Sequence, residues 1–370
     1  MTHFKHNRAQ RLGMRELAVT ELAAGAGMKA DIEEQPEVFS RLLDRGAGPI
    51  AEVAAQVVRW QPRSVIFTAR GTSDHAALYA AYLTEIRLGI PAGLASPSAI
   101  TVYHARPDLR DTLVVGVSQS GGSPDLVEVV RVAREQGAHT LAVTNDPDSP
   151  LAGAAELHVD VSAGHERAVA ATKTYTAELL ALLMLVEGIR GGDGVLPDGE
   201  YEALRALPSH AADVLADETA GQLAARYRFA DRVVTTGRGY AYPTAREAAL
   251  KLMETSYIAG LAFSGADLLH GPLAMTDPDV PVLAVVGSGP GGRSMTDVVN
   301  RLGERRADVV TIGPADVAGA AGRLAVPDVD ERYAPLLDIL PLQKLALALA
   351  LARGEDPDAP RGLKKVTTTL

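Results

Sequence analysis

The sequence predicts an α/β protein made of two similar doubly wound domains, each a mostly parallel sheet flanked by helices. Three observations carry that prediction. Apolar, β-branched runs alternate with segments of helical period along nearly the whole chain. Two of those runs, Ser64–Ala69 and Val114–Val117, end abruptly in Gly/Ser/Thr turns that lead into helices. After the break at Gly191-Gly192-Asp193-Gly194 the same strand–turn–helix grammar starts again, which reads as an internal duplication.

At 370 residues the chain is long for one core, so two domains are expected. Hydrophobic residues make up 47% and aromatics 4%, the balance of an Ala/Val/Leu-rich α/β protein. A net charge of −10 argues against nucleic acid as a partner, because a phosphate backbone needs a basic face. With no cysteine, disulfides, thiolate chemistry and cysteine-ligated metals are excluded. The N-terminal residues hold no apolar signal-like core, and no run of 18 apolar residues occurs. A cytoplasmic protein without membrane segments is expected.

Residues 1–45 read as helical, with breaks at Gly25–Gly27 and Pro36. The strand Ser64–Ala69 runs into Arg70-Gly71-Thr72-Ser73, and a helix over Asp74–Leu83 follows, with Ser73 or Asp74 as its N-cap. A short strand at Ala92–Ala95 precedes the strand at Val114–Val117. That strand ends in Ser118-Gln119-Ser120-Gly121-Gly122-Ser123, and apolar residues then recur at helical spacing from Asp125.

A strand, a Gly/Ser turn and a helix N-terminus in that order make an anion site. Backbone N–H groups point outward, the helix dipole favours negative charge, and glycine lets a ligand approach closely. The loop holds no lysine and no GxxxxGK[ST] pattern, so a phosphate monoester fits it better than a nucleotide triphosphate. Two such units in one parallel sheet bring both turns to its carboxyl edge, where open α/β sheets bind ligands.

Strands follow at Thr140–Asp146 and Leu157–Val161, and Gly164–Thr174 opens a long apolar helix to about Ile189. In the second half Asp231–Tyr240 is a strand with a glycine turn, leading into a helix near Thr244–Ser256. Gly260–Ala266 reads as a loop. Val282–Gly292 echoes the Ser118 unit, with glycines in place of most hydroxyls. One copy is therefore expected to bind the phosphate while the other supplies something else. Strands at Val309–Gly313 and Arg323–Val326, a helix over Leu336–Ala352 and a basic tail complete the order.

Glu247, Lys251 and Glu254 fall at i, i+4 and i+7 and share one helix face. On spacing alone a solvated, ion-paired face is the commoner outcome; a general base is the sharper one, and it needs partial burial. His270, before Gly271-Pro272, is a candidate acid or base on a mobile loop, although a lone histidine is more often structural. The other histidines, including His75, His104, His158 and His165, lack metal-ligand spacing, so neither a metal nor a cofactor is indicated.

Together these motifs resemble the tandem sugar isomerase (SIS) family. They are similar to the isomerase half of glutamine–fructose-6-phosphate aminotransferase and, more closely, to stand-alone SIS-type glucosamine-6-phosphate deaminases. The matching stretches are Arg70-Gly71-Thr72-Ser73, Ser118–Ser123 and Ala168-Val169-Ala170-Ala171-Thr172-Lys173. In the second half they are Gly237-Arg238-Gly239-Tyr240, Glu247–Glu254, His270-Gly271-Pro272-Leu273 and Gly362-Leu363-Lys364-Lys365-Val366-Thr367. Glu33-Glu34-Gln35-Pro36 matches a short Glu-Gln-Pro signature ahead of the first domain.

The resemblance implies roles. Thr72, Ser73, Ser118, Gln119, Ser120 and Ser123 would hold a sugar phosphate. Ala171 and Lys173 would line the sugar hydroxyls, although serine is common where this chain has Ala171. Glu254 would move a proton between C2 and C1, and His270 would open the sugar ring, reaching into the neighbouring subunit of a homodimer. Glu247 and Lys251 would shape the site, and Lys365 would approach from the tail.

The aminotransferase takes ammonia from glutamine through a domain with a terminal cysteine, which these residues lack. The resemblance therefore implies conversion of glucosamine 6-phosphate to fructose 6-phosphate and ammonia. A fructosamine-6-phosphate deglycase, a plain aldose–ketose phosphate isomerase and a non-catalytic sugar-phosphate sensor stay open beside it. The expected layout is an N-terminal helical segment (1–45), a first SIS domain (46–192) and a linker with helix (193–215). A second SIS domain (216–352) and a tail closing over the site (353–370) follow.

Overall fold

Among the described residues, ten strands form two parallel sheets of five, and both sheets have the same order. The first contains β1 (Ser64–Thr68), β2 (Ala92–Leu94), β3 (Thr112–Ser118), β4 (His139–Thr144) and β5 (Leu157–Asp160), arranged β2-β1-β3-β4-β5. The second contains β6 (Arg232–Gly237), β7 (Ala259–Ser264), β8 (Pro281–Val285), β9 (Asp308–Gly313) and β10 (Gly322–Ala325), arranged β7-β6-β8-β9-β10. The repeated grammar of the sequence is thus a repeated topology. The computed structural model describes residues 23–365. Expectations that fall on 1–22 and 366–370, including Val366 and Thr367 of the tail motif, lie outside the described residues.

Strands covered by helices on both faces read as unbroken apolar runs rather than alternating ones. β3 shows this directly, being buried at all seven positions. Each sheet changes its direction of winding between its first and third strands. In the first sheet the turns after β1 and β3 therefore open onto one crevice at the carboxyl edge.

Helix Lys173–Gly191 is buried from Lys173 through Gly188 and packs on helices Ala47–Trp60 and Thr72–Leu83. Helix Ala334–Ala352 is long and apolar enough to cross a membrane. It is instead mostly buried inside the protein, against helices Ala241–Ser256 and Thr219–Tyr227. A helix that is apolar all round must be covered on all sides, and here the second domain covers it together with helices Ala26–Glu33 and Leu207–Ala216.

Gly25 makes the expected break, taking a left-handed conformation as N-cap of helix Ala26–Glu33, while Gly27 lies inside that helix. Three local expectations are corrected. The helix after β1 begins at Thr72 with Gly71 as its N-cap, so neither Ser73 nor Asp74 caps it. Residues 164–172 are not helical; helix Lys173–Gly191 starts where the buried Glu166 carboxylate accepts the N–H groups of Thr172 and Thr174. That carboxylate satisfies orphan donors of the first turn from outside the helix, which propensity does not reveal. Finally, Gly260–Ala266 is not a loop: it forms edge strand β7 and enters the short helix Gly265–Leu269. Three Gly/Ala residues within Ala259–Ser264 hide it from a reading based on β-branched runs.

The two ends of the described chain are clasped together. The Asp358 carboxylate accepts the Gly27 and Met28 N–H groups, both at 2.7 Å, and Asp356 accepts that of Gly25 at 3.0 Å. Gln35 receives a hydrogen bond from Thr176 at 2.8 Å and donates to Gln343 at 2.9 Å, while Gln343 donates to the Thr172 carbonyl. The Glu-Gln-Pro signature is therefore a buried amide clasp joining the N-terminal helices, the first domain and the last helix. Asp358→Ala removes an anion from a helix N-terminus and leaves two donors unmet. It should lower stability by about 1–2 kcal/mol in urea unfolding, and an unchanged midpoint would contradict the clasp.

Candidate active site

A cavity of about 350 Å³ opens at the carboxyl edge of the first sheet. The turn after β1 supplies Arg70, Gly71, Thr72 and Ser73, and the turn after β3 supplies Ser118, Gln119, Ser120 and Ser123. Helices Thr72–Leu83 and Pro124–Glu135 begin at those turns and aim their N-termini at the crevice. Gly121, at φ +59, sits where a Cβ would lie 2.2 Å from Ser149 Oγ, so only glycine closes this turn.

The hydroxyls of the second turn are set up as donors. Ser118 Oγ accepts the Gly121 N–H at 3.1 Å and Ser120 Oγ accepts that of Gly122 at 3.3 Å. Each oxygen is oriented by that bond and keeps its own proton for a ligand. Ser123 occupies the N-cap position of helix Pro124–Glu135 without capping it, which leaves its hydroxyl available too. Arg70 lines the cavity and binds Asp125 at 2.9 Å. Nothing in the sequence assigns Arg70 a role, because a lone exposed arginine beside a glycine carries no spacing signal.

Thr72 and Ser73 are placed differently from the other hydroxyls. Lys251 Nζ donates to Thr72 Oγ1 at 3.1 Å, and that hydroxyl donates to Glu247 at 3.1 Å. The side chain of Thr72 is thus committed to the second domain. Ser73 Oγ is bonded to Glu178 Oε1 at 2.8 Å. Glu178 lines the cavity from helix Lys173–Gly191, and nothing in the sequence singles it out within that mostly apolar helix.

Glu247, Lys251 and Glu254 do not form a solvated face. Glu247 and Lys251 have no solvent exposure. Lys251 Nζ lies 2.5 Å from Glu254 Oε2 and 3.4 Å from Glu247 Oε1, and His75 Nδ1 lies 2.7 Å from Glu247 Oε2. Burial alone would discharge Lys251, but Glu247 and Glu254 outweigh it and hold the ammonium above its usual pKa. Of the three residues, Glu254 is the one that lines the cavity. A carboxylate from the second domain thus faces the phosphate-type loops of the first.

Two expected residues stand elsewhere. Lys173 does not reach the cavity wall; its ammonium is held at 3.0 Å by Asp31 and 2.8 Å by Glu34 and is fully buried. Two carboxylates of the N-terminal helices retain it, and it acts behind the wall that Val169 and Ala171 form. His270 is exposed at the end of helix Gly265–Leu269, with Nδ1 2.8 Å from the Ala266 carbonyl, and does not line the cavity of its own chain. Lys365 does line it, with its ammonium on the Ala168 carbonyl. Burial lowers its pKa against the upward pull of Glu166 and Asp31. No group of metal-ligand type occurs among the described residues.

The equivalent turn of the second domain carries its own anions. After β8, Gly287–Gly289 leads into helix Pro290–Glu304, and the Gly292 N–H is accepted by the Glu331 carboxylate at 3.1 Å. Ser288 Oγ donates to Asp328 at 2.6 Å. A Cβ on Gly292 would lie 1.7 Å from the Gly287 carbonyl oxygen, so its glycine serves close packing. The two copies have therefore diverged physically: one turn keeps free donors, and the other has spent them on internal carboxylates.

SIS domain segments match residues 60–188 and 227–350. Glutamine–fructose-6-phosphate aminotransferase [isomerizing] of Gloeobacter violaceus is 34% identical over 92% of this chain and 58% of its own length. The Thermococcus kodakarensis enzyme of that name is 33% identical over 94% of this chain and 59% of its own. The chain thus spans less than two thirds of these relatives. A crystal structure from Silicibacter pomeroyi, provisionally described as a phosphosugar isomerase, is 35% identical with a TM-score of 0.81, covering 90% of this chain and 99% of that one. The glucosamine-6-phosphate deaminase of Thermotoga maritima has a TM-score of 0.75 at 20% identity, covering 93% of this chain and all of that one, a likeness of fold alone. With two segments matched in order across two identical sheets, the chain belongs to the SIS domain family.

Proposed function

We propose that this protein is a phosphosugar isomerase that converts glucosamine 6-phosphate and water to fructose 6-phosphate and ammonia. The observation that carries the reading is the meeting of Glu254 with the Ser118–Ser123 turn around one cavity. In this reading the phosphate is held by the hydroxyls of Ser118, Ser120 and Ser123 and by backbone N–H groups at the two helix N-termini. Anchoring C6 fixes C1 and C2 of the open-chain sugar against the carboxylate, so the proton transfer becomes effectively unimolecular.

Glu254 takes the proton from C2 of the aldehyde form, giving an enolamine, and returns a proton to C1. The product is a 2-imino sugar, which water hydrolyses to the ketose and ammonia. Lys251, locked beside Glu254 and charged, keeps that carboxylate in place. No cysteine occurs among the 370 residues, so a thiolate route from glutamine has no nucleophile in them.

A second reading is favoured by the 35% identical structure: aldose–ketose isomerisation of a phosphosugar without loss of nitrogen. The same base and anchor would serve it. A panel of phosphorylated aldoses, amino sugars and fructosamines, read for both ammonia and ketose, separates the two. Ammonia released from glucosamine 6-phosphate supports the first reading; ketose formation confined to nitrogen-free sugars supports the second. In either case Glu254→Gln should lower kcat by about 10²- to 10⁴-fold, the range of a lost general base. Near-normal turnover in that variant would remove Glu254 from the chemistry.

His270 enters this scheme as the ring-opening group of a homodimer, supplied by each subunit to its partner's cavity. Its exposure on a single chain, away from its own cavity, supports that arrangement. Mixing His270→Ala with Glu254→Gln chains would then give heterodimers with one intact site each, and about a quarter of wild-type activity overall. No recovery on mixing would contradict a shared site.

A further inference from the structure

Glu178 is a buried acid in the cavity wall that the scheme above does not use. It has no solvent-accessible surface, lines the cavity, and bonds Ser73 Oγ through Oε1 at 2.8 Å. Its other oxygen, Oε2, is buried with no partner. A buried carboxyl with one unmet oxygen is costly as an anion and much less so as a neutral acid.

The charged and titratable groups around it make the same point. Glu247 faces it from helix Ala241–Ser256, Glu166 from the segment ahead of its own helix, and Tyr175 from its own helix. The cations of the neighbourhood are committed elsewhere: Lys251 to Glu247 and Glu254, Arg70 to Asp125, and Lys365 to a backbone carbonyl. Burial first, then the negative charge of Glu247 and Glu166, pushes the Glu178 carboxyl up to about 8, even though the Ser73 hydrogen bond pulls the other way.

A serine hydroxyl has one proton to give. When Glu178 is ionised, Ser73 must donate that proton to the carboxylate and can turn only a lone pair toward the cavity. When Glu178 is neutral, its own O–H donates to Ser73 Oγ, and the serine proton is free to point at a bound anion. The neutral form also removes a like charge from beside that anion.

Building on the phosphate-anchor reading of the cavity, we infer that Glu178 is a positioning residue whose protonation turns Ser73 into a phosphate donor and so couples sugar-phosphate affinity to pH. The reacting carbons are not its concern. Its effect falls on binding and KM, with kcat changed far less.

The test uses glucitol 6-phosphate, which has no carbonyl to react and whose phosphate is a dianion throughout the range above pH 7. Its affinity for the full chain is measured by calorimetry from pH 7 to 9.5. If the competent form carries a proton on a group titrating near 8, the wild-type Kd should weaken about 30-fold across that range. In Glu178→Gln, whose amide donates to Ser73 at every pH, the rise should disappear. In Ser73→Ala the affinity at pH 7 should already be weak, and the pH dependence should shrink to the smaller part that comes from the Glu178 charge alone.

A rise that persists in Glu178→Gln comes from another group and overturns the inference. Wild-type binding with no pH dependence overturns it as well, while leaving the phosphate anchor intact. No binding at any pH overturns the anchor and the inference together.

Discussion

One contact organises the rest of the molecule: the packing of helix Thr72–Leu83, which leaves β1, against helix Ala241–Ser256, which leaves β6. At its centre the Thr72 hydroxyl is held between Lys251 and Glu247, and His75 closes the set on Glu247. These groups are buried, so each charge depends on the others. Removing one partner of such a cluster leaves an uncompensated charge inside and costs about 3–5 kcal/mol. The mutual dependence fixes the register of the two helices. Glu254, one turn beyond Lys251, is carried by that register to the rim of the first domain's cavity.

The duplication explains how one fold supplies both parts. Each sheet offers a pair of helix N-termini at its carboxyl edge, and each therefore starts with the same capacity for an anion. The first domain keeps that capacity, with three serine hydroxyls turned toward open space. The second has filled its own with Asp328 and Glu331 and contributes its helix face instead. In the proposed reaction, binding and proton chemistry fall on different copies. The cavity wall between them depends on the chain ends: Asp31 accepts the Arg167 and Ala168 N–H groups, and Lys365 donates to the Ala168 carbonyl.

Much of this was legible in the sequence. Both sheets announce themselves because parallel strands read as apolar runs, and the Ser118–Ser123 turn is recognisable from its glycines and hydroxyls. β7 is not legible, because its glycine and alanines pack as an edge strand without any β-branched signal. The burial of Glu247 and Lys251 is not legible either: i, i+4 spacing is the same on a wet face and on an interdomain contact. Lys173 lies beside site residues in sequence yet points to Asp31, a partner 142 positions earlier that no local pattern suggests. Glu178 is not legible for the complementary reason, as an acid in a helix whose long apolar run signals core.

The central claim is that a sugar phosphate lies in the cavity with its phosphate on the first domain and its reacting end under the second. A crystal structure with glucitol 6-phosphate tests this most directly. The account places the phosphate within hydrogen-bond distance of Ser118, Ser120 and Ser123, with C1 and C2 beside Glu254. A phosphate bound at the Gly287–Gly292 turn, or a sugar chain running away from Glu254, would contradict it.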